Sequence, residues 1–209
     1  MPARAAVALL VAAALATPLH GQAPAAVPAD APARFHPLPT LRQQASERQA
    51  WLEARLDRVL PRLMEEYGAE MWILSMREYA EDPVFWSITS PTTFAARRRS
   101  IYVFHRKDDG SVERLALGGG SQDGLYQAYR SSRPAPTEET GELWGDEQWR
   151  LLRELVEARD PDSIVLNIDE HHAFSDGLHA GEREALERAL GPTYVARVKR
   201  EPRLAQNYI

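Results

Sequence analysis

Met71-Trp72-Ile73-Leu74-Ser75 is a short run of apolar side chains closed by a serine, and a polar stretch follows it. A run of this length suits a buried β-strand. On its amino side, Gly68 ends a helical pattern. Leu52, Leu56, Val59 and Leu63 recur at helical spacing there, and Leu60, Met64 and Tyr67 widen the same apolar face. Thr40-Leu41-Arg42-Gln43 fits a capping box at the start, and Ser46-Glu47-Arg48-Gln49 fits one as well. Pro61 lies inside the pattern, so it kinks this helix or opens a second one as its first residue.

On the carboxyl side, a long loop carries Asp82-Pro83 and Ser90-Pro91. Residues 100–105 and 112–117 then read as two strands joined by Lys107-Asp108-Asp109-Gly110, and the Asp-Gly pair makes an antiparallel hairpin the natural connection. Gly118-Gly119-Gly120 opens a second long loop reaching Gly145, with a helical turn expected at 125–129. Trp149, Leu152 and Val156 mark a helix that Asp160-Pro161 stops. A strand at 163–168 follows, then a helix at 182–190 with Glu184 and Arg188 paired one turn apart and Gly191-Pro192 at its end. A last strand is expected at 194–198. Each helical crossover adds a parallel strand, whereas the hairpin sets its first strand antiparallel to both neighbours. The expectation is an α/β three-layer sandwich around a mixed five-stranded sheet. It has one antiparallel strand, and the Met71 strand lies near the centre.

The chain has 209 residues, a length for one domain of ordinary size or at most two small ones, and with 44% hydrophobic and 26% charged residues it has enough apolar content for a real core. It has no Cys, which excludes disulfides, thiol nucleophiles and thiolate metal sites. A net charge of −5 gives no electrostatic footprint for nucleic acid, and Arg97-Arg98-Arg99 lacks the interleaved aromatics of such a surface. Residues 1–23 read as a secretory signal peptide. Arg4 is the basic start, 5–16 the apolar stretch, Pro18 the breaker, and cleavage falls after Gly21 or Ala23. The apolar stretch is shorter than the ~20 residues of a bilayer span. An exported protein, periplasmic or secreted and off the membrane after cleavage, is expected; an uncleaved short anchor or a buried helix is the alternative. Residues 24–39 carry five prolines among alanines and read as an extended leader.

The chemistry-bearing candidates are few. Gly118-Gly119-Gly120-Ser121 lacks the Lys-Ser/Thr of a phosphate loop, and Asp123 stands where a nucleophile elbow needs Gly. His171, His172 and Asp176 bring together residue types that ligate divalent metals, but without helical H-E-x-x-H spacing; a polar loop explains them equally. Arg77, Glu78, Tyr79 and Asp82 follow the presumed central strand. Loops at the carboxyl ends of strands in open α/β sheets host sites, so these four are the candidate substrate or interface contacts. No catalytic residue is assigned.

Three stretches carry a resemblance. They are Glu70-Met71-Trp72-Ile73-Leu74-Ser75-Met76-Arg77-Glu78-Tyr79 with Glu81-Asp82-Pro83-Val84; Ala95-Ala96-Arg97-Arg98-Arg99-Ser100-Ile101; and Leu166-Asn167-Ile168 with Ala173-Phe174-Ser175-Asp176-Gly177-Leu178 and Ala180-Gly181-Glu182. In order and spacing they resemble the N-terminal domain of exported Xaa-Pro aminopeptidase-type metallopeptidases, relatives of prolidase and creatinase. The resemblance spans roughly residues 41–203. It implies a creatinase-type N-terminal α/β domain at 40–203 that shapes substrate access and subunit contacts without doing the hydrolysis. In the family a following pita-bread domain holds two divalent metal ions on two Asp, one His and two Glu. None of those ligands maps onto this sequence, so no cofactor is expected in this chain. Residues 204–209 are expected to begin a linker toward that catalytic domain, with little to pack against. The implied partners are the catalytic domain and a sister subunit. The alternative is a free-standing exported binding or interaction domain that has lost the enzyme.

Overall fold

The computed structural model describes residues 37–131 and 145–209. The expected signal peptide and most of the leader lie outside the described residues. Among those described, no helix is long and apolar enough to cross a membrane.

Helix α1 (Leu41–Ala54) opens at Thr40, whose side chain accepts from Gln43 N (3.3 Å) while Gln43 Oε1 accepts from Thr40 N (2.8 Å). That is the first of the two expected capping boxes. The second is absent because Ser46 sits inside α1, its hydroxyl donating back to Arg42 O (3.1 Å). Helix α1 runs through a π-helical turn (Arg55–Val59) into α2 (Leu60–Glu66). Pro61 accounts for the widened turn: it has no N–H to return, and its ring cannot lie against a regular i−4 carbonyl.

Strand β1 (Met71–Arg77) follows, then a short α3 (Phe85–Ile88) and the hairpin of β2 (Arg99–Arg106) with β3 (Val112–Leu117). The hairpin turn closes through Lys107 N to Ser111 O and Gly110 N to Lys107 O, with Gly110 at φ 80°. The rest of the order is β4 (Gln127–Tyr129), α4 (Asp146–Glu157), β5 (Ile164–Leu166), a 3₁₀ turn (Ala173–Ser175), α5 (Ala180–Val195), β6 (Val198–Lys199) and α6 (Pro202–Tyr208). The sheet order is β4-β3-β2-β1-β5-β6. All neighbours pair parallel except β2, which is antiparallel to both β1 and β3. The chain is therefore α/β with a mixed sheet, one antiparallel strand and β1 inside it, as the sequence indicates.

Four expectations need correction. The sheet has six strands, because residues 127–129 form β4 rather than a helical turn. A parallel return from β3 normally needs a dozen or more residues. Here it is shorter because Gly118, Gly120, Gln122, Asp123 and Gly124 all take positive φ and fold the chain sharply back. Second, Gly191-Pro192 kinks α5 instead of ending it: Gly191 (φ 70°, ψ 172°) interrupts the helical path, which resumes to Val195. Tyr194 is therefore helical, and the last strand shrinks to two residues. Third, Glu184 and Arg188 do not pair; the ion pair one turn along α5 is Arg183–Glu187 (2.7 Å). Fourth, 204–209 is no loose tail. Leu204, Ala205 and Tyr208 are buried in α6, with the polar Asn207 and the terminal Ile209 exposed.

The strands alternate strictly between two cores. Trp72, Leu74 and Met76 face α1, α2, α3 and α6, with Tyr102, Phe104 and Val165 beside them. Met71 and Ile73 face α4 and α5, with Ile101, Val103, Leu115 and Leu166. Ile73 pairs with Val103 on one side and Leu166 on the other, which accounts for its complete burial.

Candidate functional site

Strands β1 and β5 run parallel, so their carboxyl ends meet at one edge of the sheet, and the amino end of the antiparallel β2 joins them. Two buried polar clusters sit there. In the first, Asn167 at the end of β5 accepts from Trp72 Nε1 (2.9 Å) and donates to both oxygens of Asp82 (3.0 Å each). Val84 N also donates to Asp82 (2.9 Å). Gly177 closes over the carboxylate so tightly that a Cβ there would lie 2.0 Å from Asp82 Oδ2. Burial pushes the Asp82 carboxyl up to about 6, against the pull of these donors, and neighbouring Asp176 adds to the rise.

In the second cluster, Glu182 in the first turn of α5 is buried. It accepts from Ser75 Oγ (3.0 Å) and from Arg99 through Nε and Nη2 (3.0 Å each). Arg77 Nε stands 3.4 Å from the same carboxylate, with most of its side chain in solvent. Arg99 in turn lies over the Trp149 ring at 4.7 Å. One buried carboxylate thus ties β1, β2, α4 and α5 together and fixes an arginine at the surface.

Above these clusters the backbone is strained. Arg77 and Ala80 bond reciprocally around a tight turn that puts Tyr79 at φ 66°. Left-handed backbone at a bulky side chain is an outlier that Gly or Asn would relieve. Yet Tyr79 is 95% exposed and makes no core contact that would repay the strain. Arg97 (φ 32°) and Arg98 (φ 58°) share this condition next door, where Glu78 N donates to Arg98 O (3.0 Å). Phe94 (75% exposed), on the loop into β2, and Phe174 (66%), on the loop after β5, belong to the same end. The arrangement is a rigid polar base under an outward-facing set of aromatic and arginine side chains.

Of the four contact residues expected from sequence, Arg77, Glu78 and Tyr79 lie together at this edge. Asp82 does not present itself with them: it points into the protein at 1% exposure. The metal candidates are placed differently again. His171 and His172 are exposed, with His171 Nε2 3.5 Å from Glu170, and Asp176 accepts from Asp169 N (3.2 Å). Among the described residues, no three His, Asp or Glu side chains gather as a metal-holding group.

Sequence reading missed Asn167, Glu182, Phe94 and Phe174. The carboxyl-end rule that points to the residues after β1 also reaches Asn167 when applied to β5. Glu182 gives no comparable signal, because its partners are 83 and 107 residues away in sequence. The fold and this edge define an α/β domain with a built surface at the carboxyl end of its central strands. Searches against family models, curated proteins and solved structures return no match.

Proposed function

We propose that this chain carries a creatinase/prolidase-type N-terminal domain of an exported Xaa-Pro aminopeptidase-like metallopeptidase. It would be a non-catalytic module that shapes substrate access and contacts a pita-bread catalytic domain or a sister subunit. In that reading the two divalent metal ions belong to the catalytic domain and none to this chain. The sequence resemblance supplies the family. The observation that carries the role is the exposed trio of Tyr79, Phe94 and Phe174 with Arg77 on a base fixed by buried Glu182. Aromatic side chains and arginines held rigidly in the open are what partner surfaces use as anchors.

Reading the coding DNA beyond Ile209 tests the proposal: an in-frame continuation with spaced Asp, Asp, His, Glu and Glu is expected. The purified chain should not cleave X-Pro dipeptides with added Mn²⁺, Co²⁺ or Zn²⁺. Turnover that disappears on substituting His171, His172 or Asp176 would overturn the non-catalytic role.

The second reading is a free-standing exported binding domain, and α6 favours it. Leu204, Ala205 and Tyr208 seal the face of the sheet next to α2, so this part of the core is complete without a neighbour. A stop codon after Ile209, together with retained ligand or partner binding by the Tyr79 edge, would decide for this reading.

A further inference from the structure

On the opposite face from α1 and α2, helices α4 and α5 leave between them a cleft of about 330 Å³. Three arginines line it: Arg150 and Arg153 from α4 and Arg188 from α5. Ala185 and Ala189 of α5 also line it. Trp149 of α4 lines it too, with Arg99 stacked on its ring at 4.7 Å.

The charges are arranged for something outside the chain. Among the described residues Arg188 forms no ion pair with Glu184 one turn away; it lines the cleft and also a second hollow with Glu184 and Glu187, while the adjacent Arg183–Glu187 pair forms at 2.7 Å. Among the described residues, no carboxylate lies within ion-pair distance of Arg150 or Arg188. Arg153 is fixed in place: its Nε donates to Glu157 (2.7 Å) and its Nη1 approaches Ala189 O (3.5 Å) at the kink of α5. Gly191 makes room for it, since a Cβ there would lie 3.1 Å from Arg153 Nη1. Asp146 is the one acidic side chain in the lining. In a chain of net charge −5, this is a local reversal of sign.

We propose that the α4–α5 cleft binds a small phosphate-bearing ligand. Guanidinium forks match phosphate oxygens bidentately, and three of them around one cleft can take a dianion from several sides. The ligand is free phosphate or an organic phosphomonoester; both present the same dianionic head to Arg150, Arg153 and Arg188. The inference is independent of the metallopeptidase reading, since none of Arg150, Arg153 and Arg188 belongs to the Tyr79, Phe94, Phe174 and Arg77 set on which that reading rests.

The test is calorimetric titration of the folded chain at low ionic strength with inorganic phosphate and with glycerol phosphate, following the Trp149 indole N–H by NMR. One ligand per chain should bind and shift that resonance. Arg150→Ala and Arg188→Ala should each weaken binding about tenfold or more. Asp146→Asn should tighten it, a direction that a folding defect cannot imitate. Arg62→Ala, on α2 across the sheet, should leave it unchanged. Equal binding of the two probes identifies free phosphate as sufficient, and tighter binding of glycerol phosphate identifies a monoester. No saturable response, an equal loss in Arg62→Ala, or tighter binding of succinate than of phosphate overturns the proposal.

Discussion

Asp82 is held by amide donors rather than by a cation, so its ionisation works against the fold. The group ionises near 3.8 when unfolded and at about 6 when folded. Between those values the folded state binds the proton more tightly, so this residue's contribution falls as pH rises through the interval and stays low above it. A separation of that size is worth about 3 kcal/mol. Glu113 has the opposite sign: paired with Arg159 (2.6 Å), its carboxyl is held below the usual range and its contribution is lost on acidification. A wild-type pH profile mixes the two effects, and a difference separates them. Relative to wild type, Asp82→Asn should gain stability steadily from about pH 4 to about pH 6. Urea midpoints measured at several pH values check this, and a difference that is flat with pH refutes it. At Gly177 the argument is steric. A methyl group there would collide with the carboxylate of buried Asp82, which its own hydrogen bonds hold in place, and with Pro83 Cδ, whose ring is rigid. Gly177→Ala should therefore cost at least about 1–3 kcal/mol, and an unchanged melting midpoint would show that the contact is looser than described.

Among the elements, those with a long periodic pattern are legible in sequence and those set by remote contacts are not. Trp72, Ile73 and Leu74 alternate between two cores, so their apolar run marks a strand buried on both faces wherever its partners come from. Strand β4 carries no such mark: three residues take that form because a loop of positive-φ residues returns them to β3. The kink of α5 misleads in another way, since Gly191-Pro192 is a sound stop signal that the packing of Leu190 and Tyr194 on one core overrides. Helix α6 is the largest departure. Tyr208 lies edge-on to Trp72 (5.5 Å between centroids), its hydroxyl donates to Ser87 O (3.3 Å), and Arg55 lies 5.8 Å from the ring centre. Nothing near Tyr208 in sequence announces those partners. Since they come from the π-helical turn, β1 and α3, truncating this ring should open a cavity within the main core. Tyr208→Ala should cost about 3–5 kcal/mol. Retention of the wild-type denaturant midpoint would mean that α6 is an appendage and that its burial contributes little.

At the scale of the whole molecule, the exposed aromatics at the carboxyl edge of β1 and β5 separate stability from the proposed role. Tyr79, Phe94 and Phe174 are exposed, so their replacement by serine should move stability by no more than about 0.5 kcal/mol each. Tyr79 goes further, because Asn tolerates its φ of 66° better. Tyr79→Asn should raise stability, by up to about 1 kcal/mol. In the proposed role, a residue that weakens the fold and gives the core nothing contributes through what it touches outside. Residues 204–208 pack into α6, so the aromatics of this edge, rather than the chain's end, are the surface that the proposed partner would cover; Trp51 and Trp86 are exposed apart from it. Sedimentation over a concentration series should show weak, reversible self-association of the wild-type chain. The serine triple variant should remain monomeric and equally stable, and removal of Ile209 alone should change nothing. Self-association that persists in the triple variant would move the proposed partner surface away from Tyr79. A wild-type chain that stays monomeric throughout would remove the reason for assigning these aromatics to a protein partner at all.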